Sequence, residues 1–175
     1  KYFTKKAGGE QEPVSLRPTL FCAIMSRTRW VIWKMEELSQ SGAFTGALDP
    51  DSLEATLHSI RYYAAIRKRK DDVSAIARNT GWNEYAIQQI KNHIFFSSHD
   101  LGGPEPERFD PDYHMAVSWQ RLIEGREIRF QDMVLLKHEY LELTLMRTKG
   151  LSYLEAHSLA NEKHNYGKAI QEAIQ

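Results

Sequence analysis

The residues best placed to do chemistry lie in one segment, residues 131–146. There His138, Glu139 and Glu142 interrupt a run that is otherwise largely apolar, with eight Leu, Met and Val residues among the other thirteen. His138 and Glu142 are four apart, which on a helix puts them on one face, with Glu139 adjacent. A helix that is apolar nearly all round is mostly buried. Ionisable groups inside it must then be paired, hydrogen-bonded or metal-bound. The spacing resembles the first half of a zincin motif, but Glu142 stands where that motif has its second His, which argues against a metalloprotease. One His with two carboxylates suits a harder divalent cation, or a general acid/base pair without metal. The same spacing also describes an ordinary His–Glu pair on a helix edge, contributing about 0.2–0.5 kcal/mol.

A second polar stripe follows in His157, Asn161 and His164, at intervals of four and three. Glu155, three after Ser152, reads as half of a capping box and needs no catalytic explanation. The short turn at Lys149-Gly150 predicts that the helices on either side pack antiparallel, which brings His157 toward His138 or Glu142. The expected site therefore has His138 as general base or metal ligand. Glu139 and Glu142 orient it or bind a divalent metal ion, and His157 is a general acid or second ligand. His164 is a further ligand. Asp112 could reach this cluster, although capping the helix it precedes explains it as well. His58, His93 and His99 read as structural or surface residues.

These groups need elements to hold them. The chain has 175 residues, 23 Lys+Arg against 23 Asp+Glu, seven His and a single cysteine, Cys22. One cysteine excludes a disulfide framework within the chain and a Cys-based zinc finger. No apolar run is long enough to predict a membrane span. The Lys1 start reads as a piece cut from a longer protein or a processed product. Residues 1–18 carry Gly and Pro without periodicity and read as a flexible arm. Residues 19–70 read as an N-terminal helical hairpin, and residues 71–175 as a further helical region sharing one core with it. Alternating β-branched runs are absent, so the expected fold is all-α, an irregular bundle of six or seven helices.

Residues 73–96 carry a helix-turn-helix-like pattern. Ala77 is small where two helices would touch, Gly81 follows at the turn, and Ile87 would seat the second helix. Gln88 and Lys91 on that second helix could meet base edges or phosphates. A tight helical hairpin is also a common packing unit. Residues 1–91 hold 14 basic and 10 acidic side chains, and residues 92–175 hold 9 and 13. The basic excess centres on Arg67, Lys68, Arg69 and Lys70, which could contact phosphates or simply end a helix. The neutral overall charge weakens a purely electrostatic DNA binder.

The segments Ile90-Lys-Asn-His93-Ile-Phe, Phe109-Asp-Pro-Asp112, Ser118-Trp119-Gln-Arg121-Leu, Leu136-Lys-His138-Glu139-Tyr-Leu-Glu142 and Glu155-Ala-His157 together carry a resemblance. Over about residues 72–166 the chain resembles an uncharacterised all-helical domain at the C-termini of bacterial polymorphic toxins and phage head-morphogenesis-like proteins. The resemblance implies an effector delivered as part of a larger protein into a neighbouring cell's cytoplasm. It further implies a hydrolase, most often a nuclease, with a cognate immunity protein as partner. The lack of a cysteine pair agrees with action in a reducing compartment. Two other readings are a non-enzymatic DNA-binding helix-turn-helix module and a phage-like assembly domain.

Overall fold

In the computed structural model, residues 49–174 are described. The expected arm and the expected helix over residues 19–40 lie outside them. Seven helices and no strand occur among the described residues, so the chain is all-α there. In order they are α1 (Leu53–Lys68), α2 (Asp72–Thr80), α3 (Glu84–Phe95), α4 (Tyr113–Glu124), α5 (Phe130–Lys149), α6 (Tyr153–Lys163) and α7 (Tyr166–Ile174).

Local chemistry sets most of these boundaries. Ser52, Asn83, Asp112 and Ser152 each turn a side-chain oxygen back onto a backbone N–H of the first turn they precede. That hydrogen bond satisfies one of the donors a helix leaves unpaired at its start. Gly81 and Gly150 close α2 and α5 in the left-handed conformation, at φ 74° and 64°, which a residue with a Cβ adopts only at a cost. The last helix starts before Gly167 rather than after it, because Asn165 caps it by accepting from Lys168 N at 2.7 Å.

The described residues all lie within one compact unit, Ala43–Gln175. Helix α5 is its axis, packed against α3, α4, α6 and α7, while α1 lies on α4 and α3. Trp119 of α4 is fully buried, with Phe95 edge-on at 5.1 Å and Tyr63 of α1 edge-on to Phe95 at 4.7 Å. The α2–α3 hairpin is locked to this core by a buried ion pair. Lys91 Nζ lies 2.7 Å from Asp72 Oδ1, and Trp119 Nε1 donates to Asp72 Oδ2 at 3.3 Å. No described helix is long and apolar enough to cross a membrane.

Candidate functional site

Helix α5 buries His138, Glu139 and Glu142 together. The turn at Gly150 folds α6 back along it, so Glu142 meets His157 and His138 meets His164, the order an antiparallel pair requires. Glu142 is the hub. Its Oε2 lies 2.7 Å from His157 Nδ1 and 3.4 Å from His138 Nε2. Its Oε1 lies 2.7 Å from Nε2 of His93, which α3 contributes. The two α5/α6 imidazoles are themselves 3.2 Å apart, His138 Nε2 to His157 Nδ1.

The protons can be assigned from these contacts. A backbone carbonyl only accepts, so the 2.9 Å contact between His138 Nδ1 and the carbonyl of His164 places a hydrogen on Nδ1. A neutral His138 therefore presents the lone pair of Nε2 to Glu142 and His157. The one hydrogen that His157 Nδ1 can carry serves only one of its two neighbours. A lone pair and a carboxylate oxygen thus face each other in a buried site, which calls for either a further proton, making His138 an imidazolium, or a cation.

Metal geometry is close at hand. Nitrogen and oxygen ligands about 2.0–2.2 Å from a zinc-like ion have tetrahedral corners roughly 3.3–3.6 Å apart. Of the three separations among His138, His157 and Glu142, the 3.2 and 3.4 Å contacts match that spacing within about 0.2 Å. The third, 2.7 Å, is a hydrogen-bond length, and an ion would require it to open by about half an ångström. The donation of His138 Nδ1 to a carbonyl is also the outer-shell contact that metal-ligating histidines commonly make.

Electrostatics distinguish the two carboxylates. Burial alone would raise the Glu142 carboxyl, but the surrounding imidazoles, His138 once it carries the further proton together with His157 and His93, outweigh it and hold it well below the usual range. Glu139 goes the other way, pushed well up by burial and then by the charge of Glu142. Its Oε2 accepts no hydrogen bond and lies 3.7 Å from His93 Nε2.

A cleft of about 350 Å³ opens over the cluster, lined by His138, Glu139, Tyr153, His157, Asn161 and Asn165 among others. His157 is the half-exposed member of the cluster, its side chain 40% accessible and stacked on Tyr153. The loop between α3 and α4 closes the far side. An isolated bridge between His99 and Glu107 pins that loop and holds the His99 ring stacked on Phe109 at 4.4 Å. His99 Nε2–H in turn donates to the carbonyl of His93 at 3.0 Å.

Several expected roles change. Of the structural-or-surface reading of His93 and His99, the structural half holds, since both are buried, but His93 also contacts the hub and His99 supports it from behind. The signal that could have found His93 was its position among Ile87, Ile90, Ile94 and Phe95, an apolar face where a histidine needs a partner. His164 does not supply its ring to the cluster. Helix α6 ends at Lys163, so the periodicity that put His164 on the His157 face stops one residue short, and only its carbonyl takes part. Asp112 is occupied in capping α4, accepting from Met115 N at 2.7 Å.

The expected nucleic-acid contacts divide. Lys91 is not a phosphate contact, because its amine is buried on Asp72 and the Arg69 carbonyl. Gln88 is exposed and donates to Asn92 Oδ1 at 2.9 Å. Arg67 donates to the Phe95 carbonyl and Arg69 pairs with Asp71. Lys68 and Lys70 are exposed. A second groove, of about 290 Å³, was missed. Lys137, Lys163, His164 and Lys168 line it with Glu162 and Glu172, and it shares Asn161 and Asn165 with the cleft. The three lysines come from three helices, so no run in the sequence announces them.

No family model matches the chain, and no curated protein or solved structure is significantly similar to it.

Proposed function

We propose that the protein is a metal-assisted hydrolase acting on nucleic acid, the catalytic domain of a toxin delivered into a neighbouring cell and restrained by an immunity protein. The observation that carries the enzymatic part is the His138 tautomer. Its lone pair faces Glu142 and His157 at near-tetrahedral spacing, beneath an open cleft. His138, His157 and Glu142 would hold a divalent ion, which supplies a water that ionises near neutral pH and polarises a phosphoryl oxygen.

The reaction adds water across a phosphodiester. The water oxygen joins phosphorus, the bond from phosphorus to one sugar oxygen breaks, and that oxygen takes up a proton. Tyr153, Asn161 and Asn165 supply polar groups along the cleft that could orient the substrate. The lysine-lined groove that shares two residues with the cleft supports an anionic polymer longer than one nucleotide. The delivered-toxin setting and the immunity partner rest on the resemblance of residues 72–166 alone.

The helix-turn-helix reading has less support, because Lys91, one of its two reading residues, is consumed by the fold. The test is a panel of plasmid DNA and total RNA incubated with protein, with EDTA or added Mn²⁺, Mg²⁺ or Zn²⁺, beside His138→Ala. Cleavage by the wild type that both EDTA and His138→Ala abolish is the expected result. Absence of cleavage with every metal, or undiminished cleavage by a folded His138→Ala protein, overturns the assignment.

A further inference from the structure

We infer that Glu142 bridges two cations, the second held by His93 and Glu139 on the far side of the carboxylate. This rests on the metal reading of the His138 centre and deepens it. Two groups of three ligand atoms occur among the described residues, His138–Glu142–His157 and His93–Glu139–Glu142, each with its atoms within 4.8 Å of one another. They share Glu142 and divide its oxygens. Oε2 faces His138 and His157, while Oε1 faces His93. A carboxylate that offers one oxygen to each side is the usual bridge of a two-metal site, which holds its ions about 3.5–4 Å apart.

An independent observation points to the second ion. Glu139 has a side chain only 7% accessible, and its Oε2 accepts no hydrogen bond. Buried carboxylate oxygens are nearly always satisfied, and this one lies beside His93 Nε2. No described Lys or Arg forms an ion pair with Glu139 or Glu142. Two adjacent buried carboxylates therefore have only imidazoles around them for compensation. A cation between Glu139, Glu142 and His93 would satisfy the bare oxygen and neutralise the pair in one step. Mixed imidazole and carboxylate ligands suit Mn²⁺, Zn²⁺ or Fe²⁺ rather than Ca²⁺. Two such ions would clamp the attacking and the leaving oxygen of a phosphodiester.

The test uses the full chain, stripped with chelator and reloaded with Mn²⁺. Bound metal is counted by mass spectrometry after desalting, and coupling is read by electron paramagnetic resonance. The expected result is two Mn²⁺ per chain with the signature of an exchange-coupled pair. Glu139→Gln, which keeps the side-chain volume, and His93→Ala should each bind one ion with an uncoupled signal. Circular dichroism identifies any variant that has lost its fold, and the wild-type count does not depend on either variant. One ion per wild-type chain overturns the bridge and leaves the hydrolase reading standing. No ion overturns both. Two ions retained by folded Glu139→Gln and His93→Ala proteins overturns the assignment of these ligands.

Discussion

The ring of His138 is held by the carbonyl of His164, 2.9 Å from Nδ1, and that one hydrogen bond decides which nitrogen faces Glu142. The carbonyl is available because α6 ends at Lys163, and Asn165 immediately starts a new helix. A helix end thus supplies an unpaired carbonyl, and the site uses it as its orienting group.

Asn165→Ala should consequently act on the site without touching a ligand. Losing the cap costs about 1 kcal/mol of stability. Freeing the carbonyl from its fixed position should weaken Zn²⁺ or Mn²⁺ binding by about 10-fold or more, the usual penalty for removing an outer-shell partner. Calorimetric titration of metal into wild type and variant reads both affinities. Unchanged affinity in a variant of lowered thermal midpoint would show that the carbonyl does not orient His138.

Lys91 offers a sharper test of what the helix-turn-helix is for. Its side chain is 5% accessible and that of Asp72 is fully buried. Removing one partner of such a pair leaves the other charged and unpaired, which costs roughly 3–5 kcal/mol. Lys91→Ala should therefore lower the urea midpoint severely. Lys91→Met combined with Asp72→Asn should recover much of the loss, since Asn still accepts from Trp119. If Lys91→Ala instead kept its midpoint and lost only nucleic-acid binding, the hairpin would be a reading head after all.

How much of this was legible beforehand follows sequence distance. Ser52, Asn83, Asp112 and Ser152 announce their helices because capping is decided within four residues. The approach of His157 to His138 and Glu142 was readable because a short turn leaves α5 and α6 little choice but to pack together. His93 was not, since it reaches Glu142 across 49 positions and its neighbours Ile90 and Ile94 look like any core stripe. Lys91 misled for a related reason. It sits three residues from exposed Gln88, and only Asp72 in the preceding helix explains why one points out and the other in.

Stability should carry an acid slope to which His58 contributes. The ring stacks on Tyr62 at 5.5 Å and meets Tyr113 edge-on at 5.8 Å. Burial first, and Arg61 second, lower its pKa from 6.5 to about 4. Between those values the unfolded chain binds more protons than the folded one, so folding stability falls as pH drops through that window. Above pH 6.5 this contribution is complete. His58→Phe keeps the ring stack and removes the titration, so its urea midpoint should fall less than that of wild type between pH 7 and pH 4.5. Parallel declines would place the slope elsewhere.

The lysine-lined groove makes the last prediction, and it separates two surfaces that could hold a polyanion. Lys137, Lys163 and Lys168 line a groove continuous with the cleft through Asn161 and Asn165, and all three are exposed. Lys168 has Glu172 3.8 Å away, but that pair is open to solvent on both sides and contributes little. Each lysine that contacts a phosphate adds about one counterion to those released on binding, so its removal should reduce the salt slope of affinity by about 1. Lys137→Ala with Lys163→Ala should therefore flatten the salt dependence by about 2 and weaken binding at low salt, with the fold intact because both side chains are exposed. Lys68→Ala with Lys70→Ala, at the end of α1, should leave the slope unchanged. Fluorescence anisotropy of a labelled oligonucleotide over a salt series measures both pairs. The reverse pattern would move the nucleic-acid path to the α1 end and away from the His138 cleft.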